Sequence, residues 1–79
     1  MSYPTSDKEW ADRTARYVKA QLKRHALTYD DLVERLKPLG YVETRASISN
    51  KLARGTFQAP FLLATMAAIK ERAIKIEDV

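Results

Sequence analysis

Two short helices, each with its own start and stop written into the chain, lie back to back between Thr28 and Gly55 and constrain everything around them. Thr28 is an N-cap whose hydroxyl can accept from an orphan amide, and Asp30 and Asp31 put negative charge at the positive end of the helix dipole. Leu32, Val33 and Leu36 then fall on one face, with Leu27 ahead of the cap where a hydrophobic staple packs. Lys37-Pro38 should close this helix, because a residue before proline is pushed out of the α region. Gly40 supplies a positive φ in the connection. The next helix runs from Thr44 as N-cap through RASISNKLAR to Gly55, a natural C-cap residue. Ile48 and Leu52 share its inner face, which leaves Ala46, Ser47, Ser49, Asn50, Ala53 and Arg54 outside.

Two more helical runs flank the pair. The first opens with Ser6 and Glu9 as a capping box and continues from Asp7 to about His25. Trp10, Thr14, Val18 and Leu22 form its packing stripe, with Ala11, Ala15 and Tyr17 beside it. Arg13, Arg16, Lys19, Lys23 and Arg24 are left for solvent or phosphate. The last run starts with Pro60 at the first helical position. Phe61, Leu62, Ala64, Met66, Ala67 and Ile69 make it apolar around most of its circumference, as in a helix buried in a core, in a dimer interface, or in both.

The expected fold is therefore all-α, a small bundle of four helices in a single domain over residues 1–79, with residues 1–5 irregular and 73–79 a C-terminal tail. In that tail Ile74, Lys75, Ile76 and Glu77 alternate at the strand period. A lone strand could pair only with its copy in a second molecule. Fraying or continuation of the helix is the preferred expectation.

Composition narrows the function classes. A domain of 79 residues has a marginal core, and without cysteine it has no disulfide or thiolate metal site to reinforce it. Helix packing, with a homodimer as a further route, must supply the stability. No run approaches the roughly 20 apolar residues of a membrane span. Met1 to Asp7 lacks the apolar core of a secretory signal, so the cytoplasm is the expected location. His25 is the only histidine and stands at a basic helix end, where a dipole partner is expected rather than a catalyst. Gly40 and Gly55 are the only glycines, too few for a phosphate-binding loop, and no metal-ligand spacing occurs. An enzyme is not expected, nor is a cofactor or a bound metal.

What remains is the outward face of the Thr44–Gly55 helix. Asn can bond adenine with two hydrogen bonds, Arg can do the same to guanine, Ser suits several base edges, and Ala allows close approach or touches a thymine methyl. An ordinary solvated polar face would look the same. Net charge is +4, and from Thr44 to Lys70 there is no acidic residue while Arg45, Lys51, Arg54 and Lys70 occur. Such a surface concentrates phosphates, although a net charge of about 2 to 8 is also ordinary for solubility.

The order LKRHALTYDDLVERL, a turn, ASISNKLARG, then PFLLATMAAI resembles the helix-turn-helix domain of the lambda-repressor and Xre type, over roughly Tyr17 to Ile69. In that family a Leu-Thr-x-x-x-Leu helix precedes a recognition helix ending in a basic residue and Gly, followed by a further apolar helix. The segment LARGTFQAPFLL is similar to a small bacterial subfamily of this type. The resemblance implies a double-stranded DNA partner and a small bacterial or phage-type transcriptional regulator. Arg45, Ala46, Ser49 and Asn50 would then read bases. Lys23, Arg24, Thr28, Tyr29, Ser47, Lys51 and Arg54 would hold phosphates, with a partly buried surface aromatic as the alternative for Tyr29. The connection from Lys37 to Glu43 departs from the family's turn of roughly 3 to 4 residues, and this bears on the inter-helix angle. The alternative in another class is a protein-interaction module, adaptor or antitoxin-like, that binds a protein partner through its fourth helix or tail and exposes an apolar patch near Phe57, Phe61 and Leu62.

Overall fold

A computed structural model describes residues 2–79 and is all-helical, with no strand among the described residues. The four helices are α1 (Asp7–Arg24), α2 (Tyr29–Leu36), α3 (Arg45–Arg54) and α4 (Ala59–Ala68). Short 3₁₀ turns cover Lys37–Leu39 and Ile76–Asp78.

The core forms where the apolar stripes of all four helices meet. Val18 and Leu22 of α1, Leu32 and Leu36 of α2, and Ile48 and Leu52 of α3 are almost fully buried, together with Phe61, Met66 and Ile69 from the α4 region. Trp10, expected on the packing stripe of α1, is instead exposed and stacks on Tyr3 with ring centroids 6.0 Å apart. The reason is helical drift. Twelve residues at 3.6 per turn rotate Trp10 roughly 120° away from Leu22. Gln21 takes part of the buried face in its place.

Local chemistry sets the helix ends. Ser6 Oγ accepts from the Glu9 amide at 3.1 Å, a one-sided cap rather than the expected box. Thr28 does form a box, its own amide donating to the Asp31 carboxylate at 2.8 Å. Lys37 stays in the right-handed helical region, contrary to the expectation from Pro38. The chain tightens there into a 3₁₀ turn with i→i+3 bonding instead of leaving the helix at once. Gly40 then reverses it at φ +94. Pro60 occupies the second position of α4, not the first, because the helix already includes Ala59. Either position tolerates a missing amide donor.

The tail does not extend α4. Lys70 turns at φ +64 and the Glu71 amide donates to the Met66 carbonyl at 2.9 Å, which closes the helix. Ile74 and Val79 fold back as half-buried residues against the core, and the strand-like alternation becomes an irregular segment and a 3₁₀ turn. Arg35 reinforces the same end by donating to the Ala68 carbonyl at 3.1 Å. No helix among the described residues is long and apolar enough to cross a membrane.

Candidate nucleic-acid interface

α3 is held on three sides and free on the fourth. Its start is fixed by a reciprocal box in which the Ser47 amide donates to Thr44 Oγ1 at 3.0 Å and the Thr44 amide donates to Ser47 Oγ at 2.9 Å. Ile48 and Leu52 anchor the inner face, and Gly55, buried at φ +65, ends the helix against α1. Ala46, Ser49, Asn50, Ala53 and Arg54 are left exposed. Among the described residues, the side chains of Ser49, Asn50 and Arg54 have no hydrogen-bond or ion-pair partner, so their polar atoms face water. Arg45 is also exposed, and its guanidinium lies 3.9 Å from the Asp30 carboxylate, a loose contact between two solvated groups. All four residues expected to read bases are thus exposed, Arg45 and Ala46 in the first turn of α3 and Ser49 and Asn50 at its middle.

The residues expected to hold phosphates are less uniform. Ser47 and Lys51 are engaged by Glu43, whose carboxylate accepts from Ser47 Oγ and from Lys51 Nζ, both at 2.7 Å. The Lys51 ammonium also lies 4.2 Å from the centroid of the Phe61 ring. Burial pushes the Glu43 carboxyl up, but the bonds from Lys51 and Ser47 and the charge of Lys51 outweigh it and hold the group below its usual range. Glu43 was not singled out in the sequence. The spacing of Glu43, Ser47 and Lys51, four residues apart in each step, is the only trace of this arrangement.

Elsewhere Lys23 and Arg24 are exposed, but they diverge because consecutive helical residues point about 100° apart. Arg24 donates to Gln21 Oε1 at 3.1 Å and lines a groove of mixed charge between α1 and the tail, where Lys70, Arg72 and Lys75 stand with Glu71 and Asp78. Arg72 and Lys75 were also missed, since the tail gave no sign that it folds back. Thr28 Oγ1 accepts from the Asp31 amide at 3.1 Å, and Tyr29 is half-buried against the core. The latter is the structural alternative foreseen for Tyr29. Asp30 and Asp31 add negative charge at this end of α2, and the Asp30 carboxylate lies beside Arg45.

The remaining groups have structural uses. His25 caps α1 and its Nε2 is 2.7 Å from Glu71 Oε1, tying the end of α1 to the segment after α4. No cluster of His, Cys, Asp or Glu suited to a metal ion occurs among the described residues. The apolar patch expected around Phe57, Phe61 and Leu62 is not open: Phe61 is buried and the other two are half-buried. The exposed large hydrophobic residue of α4 is Leu63, between the exposed Ala59 and Ala67.

Residues 10–74 match the model of a family described as Domain of unknown function (DUF6471). No curated protein and no solved structure matches the chain.

Proposed function

We propose that this chain, which belongs to the DUF6471 family, binds double-stranded DNA in a sequence-specific manner through α3 and acts as a small bacterial or phage-type transcriptional regulator. The observation that carries this reading is the unpartnered face of α3. Arg45, Ser49 and Asn50 offer donors and acceptors to base edges, Ala46 and Ala53 leave room for a groove wall, and α3 itself carries no acidic residue, the Asp30 carboxylate beside Arg45 coming from α2. α2 and α3 would form the helix-turn-helix, with the long connection braced by Glu43. Lys23, Arg54 and the positive end of α3 would meet phosphates. A domain this small makes few base contacts, so a homodimer on a two-fold site is the arrangement that gains specificity most readily.

A second reading, a protein-interaction module, is favoured by one observation: Leu63 is 64% exposed on a helix with no charged residue. With the exposed Ala59 and Ala67 on either side, it is the apolar surface of α4 that a protein partner or a second copy would cover.

The test is fluorescence anisotropy with a randomised duplex pool at two salt concentrations, followed by sequencing of the bound fraction. Salt-sensitive binding with an enriched motif supports the DNA reading. No binding even at low salt removes it and leaves the protein-partner reading.

A further inference from the structure

Val42 is 91% exposed, more than any other large hydrophobic side chain among the described residues. Its neighbours explain how it is held there. On one side Tyr41 turns inward and packs edge-on against Phe61, with ring centroids 5.2 Å apart. On the other, Glu43 turns inward to Ser47 and Lys51. In a non-helical run, alternate side chains take opposite sides, so anchoring residues 41 and 43 leaves Val42 in water. A β-branched apolar residue is also a poor choice for a connection, where Gly, Asn, Asp and Ser satisfy the backbone. Among the described residues its side chain is not part of the core or of the hydrophobic side chains packed against it.

Val42 lies two residues before Thr44, the N-cap of α3, at the same end as Arg45 and Ala46. In the major groove the one apolar feature on the base edges is the 5-methyl group of thymine. Resting on the DNA-binding reading, we infer that Val42 reads sequence by packing on a thymine methyl beside the bases contacted by the first turn of α3. The braced connection positions it before DNA arrives, so little ordering is lost on contact.

The experiment is a methyl-deletion cycle. In the duplex selected from the random pool, each thymine is replaced in turn by deoxyuridine, and affinities are measured for the natural chain and for Val42→Ala. At one thymine the natural chain should lose about fourfold, the effect of one buried methyl group. Val42→Ala should bind the thymine duplex correspondingly more weakly and be indifferent to that replacement. Equal thymine-to-deoxyuridine ratios for both proteins at every position would overturn the inference while leaving DNA binding intact. Failure of the natural chain to bind any duplex would remove the DNA reading and the Val42 assignment together. The substitution is at a solvated position, so circular dichroism should show an unchanged fold.

Discussion

Gly55 lies so close to α1 that a Cβ built on it would sit 2.0 Å from the carbonyl oxygen of Ala11. The end of α3 is therefore set against α1 by backbone contact, with no flexible side chain between them. This sets how closely the C-terminal end of α3 approaches α1.

Two alanine substitutions separate close approach from backbone conformation. Gly40 has φ +94 and open space around the position of a Cβ, so Gly40→Ala should cost only the left-handed penalty, roughly 1–2 kcal/mol. Gly55 has φ +65 and must in addition displace the Ala11 peptide. Gly55→Ala should lower Tm by clearly more than Gly40→Ala in the same thermal scan. Equal losses would sink the close-approach account.

Among the described residues one buried side-chain polar atom has no hydrogen-bond partner, Oγ1 of Thr65, in a residue 1% exposed. An unsatisfied buried hydroxyl costs about 1–3 kcal/mol, and valine has nearly the same shape. Thr65→Val should raise the midpoint of urea unfolding with an unchanged m-value. A lower midpoint would mean that the hydroxyl has a hydrogen-bond partner in solution.

The features that were legible in the sequence are local ones. Thr28 and Thr44 cap, and Gly40 and Gly55 turn, because each acts on a backbone group within a few residues. The open face of α3 followed from the positions of Ile48 and Leu52 alone. What the sequence hid depends on partners far along the chain or on small angular offsets. Trp10 left the α1 stripe because a four-residue spacing drifts around the helix. Leu63 could not be placed because a helix apolar on all sides has no preferred inner face. Ser47 and Lys51 looked free because their partner, Glu43, reaches them only once the connection folds back. Arg72 and Lys75 joined Arg24 only through the path of the tail.

Glu43 gives a pH prediction with a defined sign. Its folded pKa is held below the unfolded value, so its contribution to stability is present above the ordinary glutamate pKa of about 4.3 and is lost as pH falls through the lower folded value. Glu43→Gln should lower stability at neutral pH and flatten part of the acid limb of the stability profile. Some slope should remain, because the Asp31 carboxyl is also lowered, first by the bond from the Thr28 amide. Urea titrations from pH 7 to 3 for both proteins would check this, and parallel acid limbs would count against the role of Glu43.

DNA binding would divide the remaining polar residues by kind of contact. Asn50 is exposed without a partner, so Asn50→Ala should relax preference at one base position by about 1–3 kcal/mol and leave the others unchanged. Lys23 is exposed on α1, where a phosphate contact is independent of sequence. Lys23→Gln should therefore weaken all duplexes alike and reduce the slope of log affinity against log salt by about 1. Ser47 supplies the contrast. Its hydroxyl is committed to Glu43 and its amide to Thr44, so Ser47→Ala should lower Tm and affect affinity only through the stability of α3. Selection of bound sequences and salt titrations for the three variants would read these effects separately. If Asn50→Ala and Lys23→Gln changed affinity equally across all sequences, α3 would not be the element that reads bases.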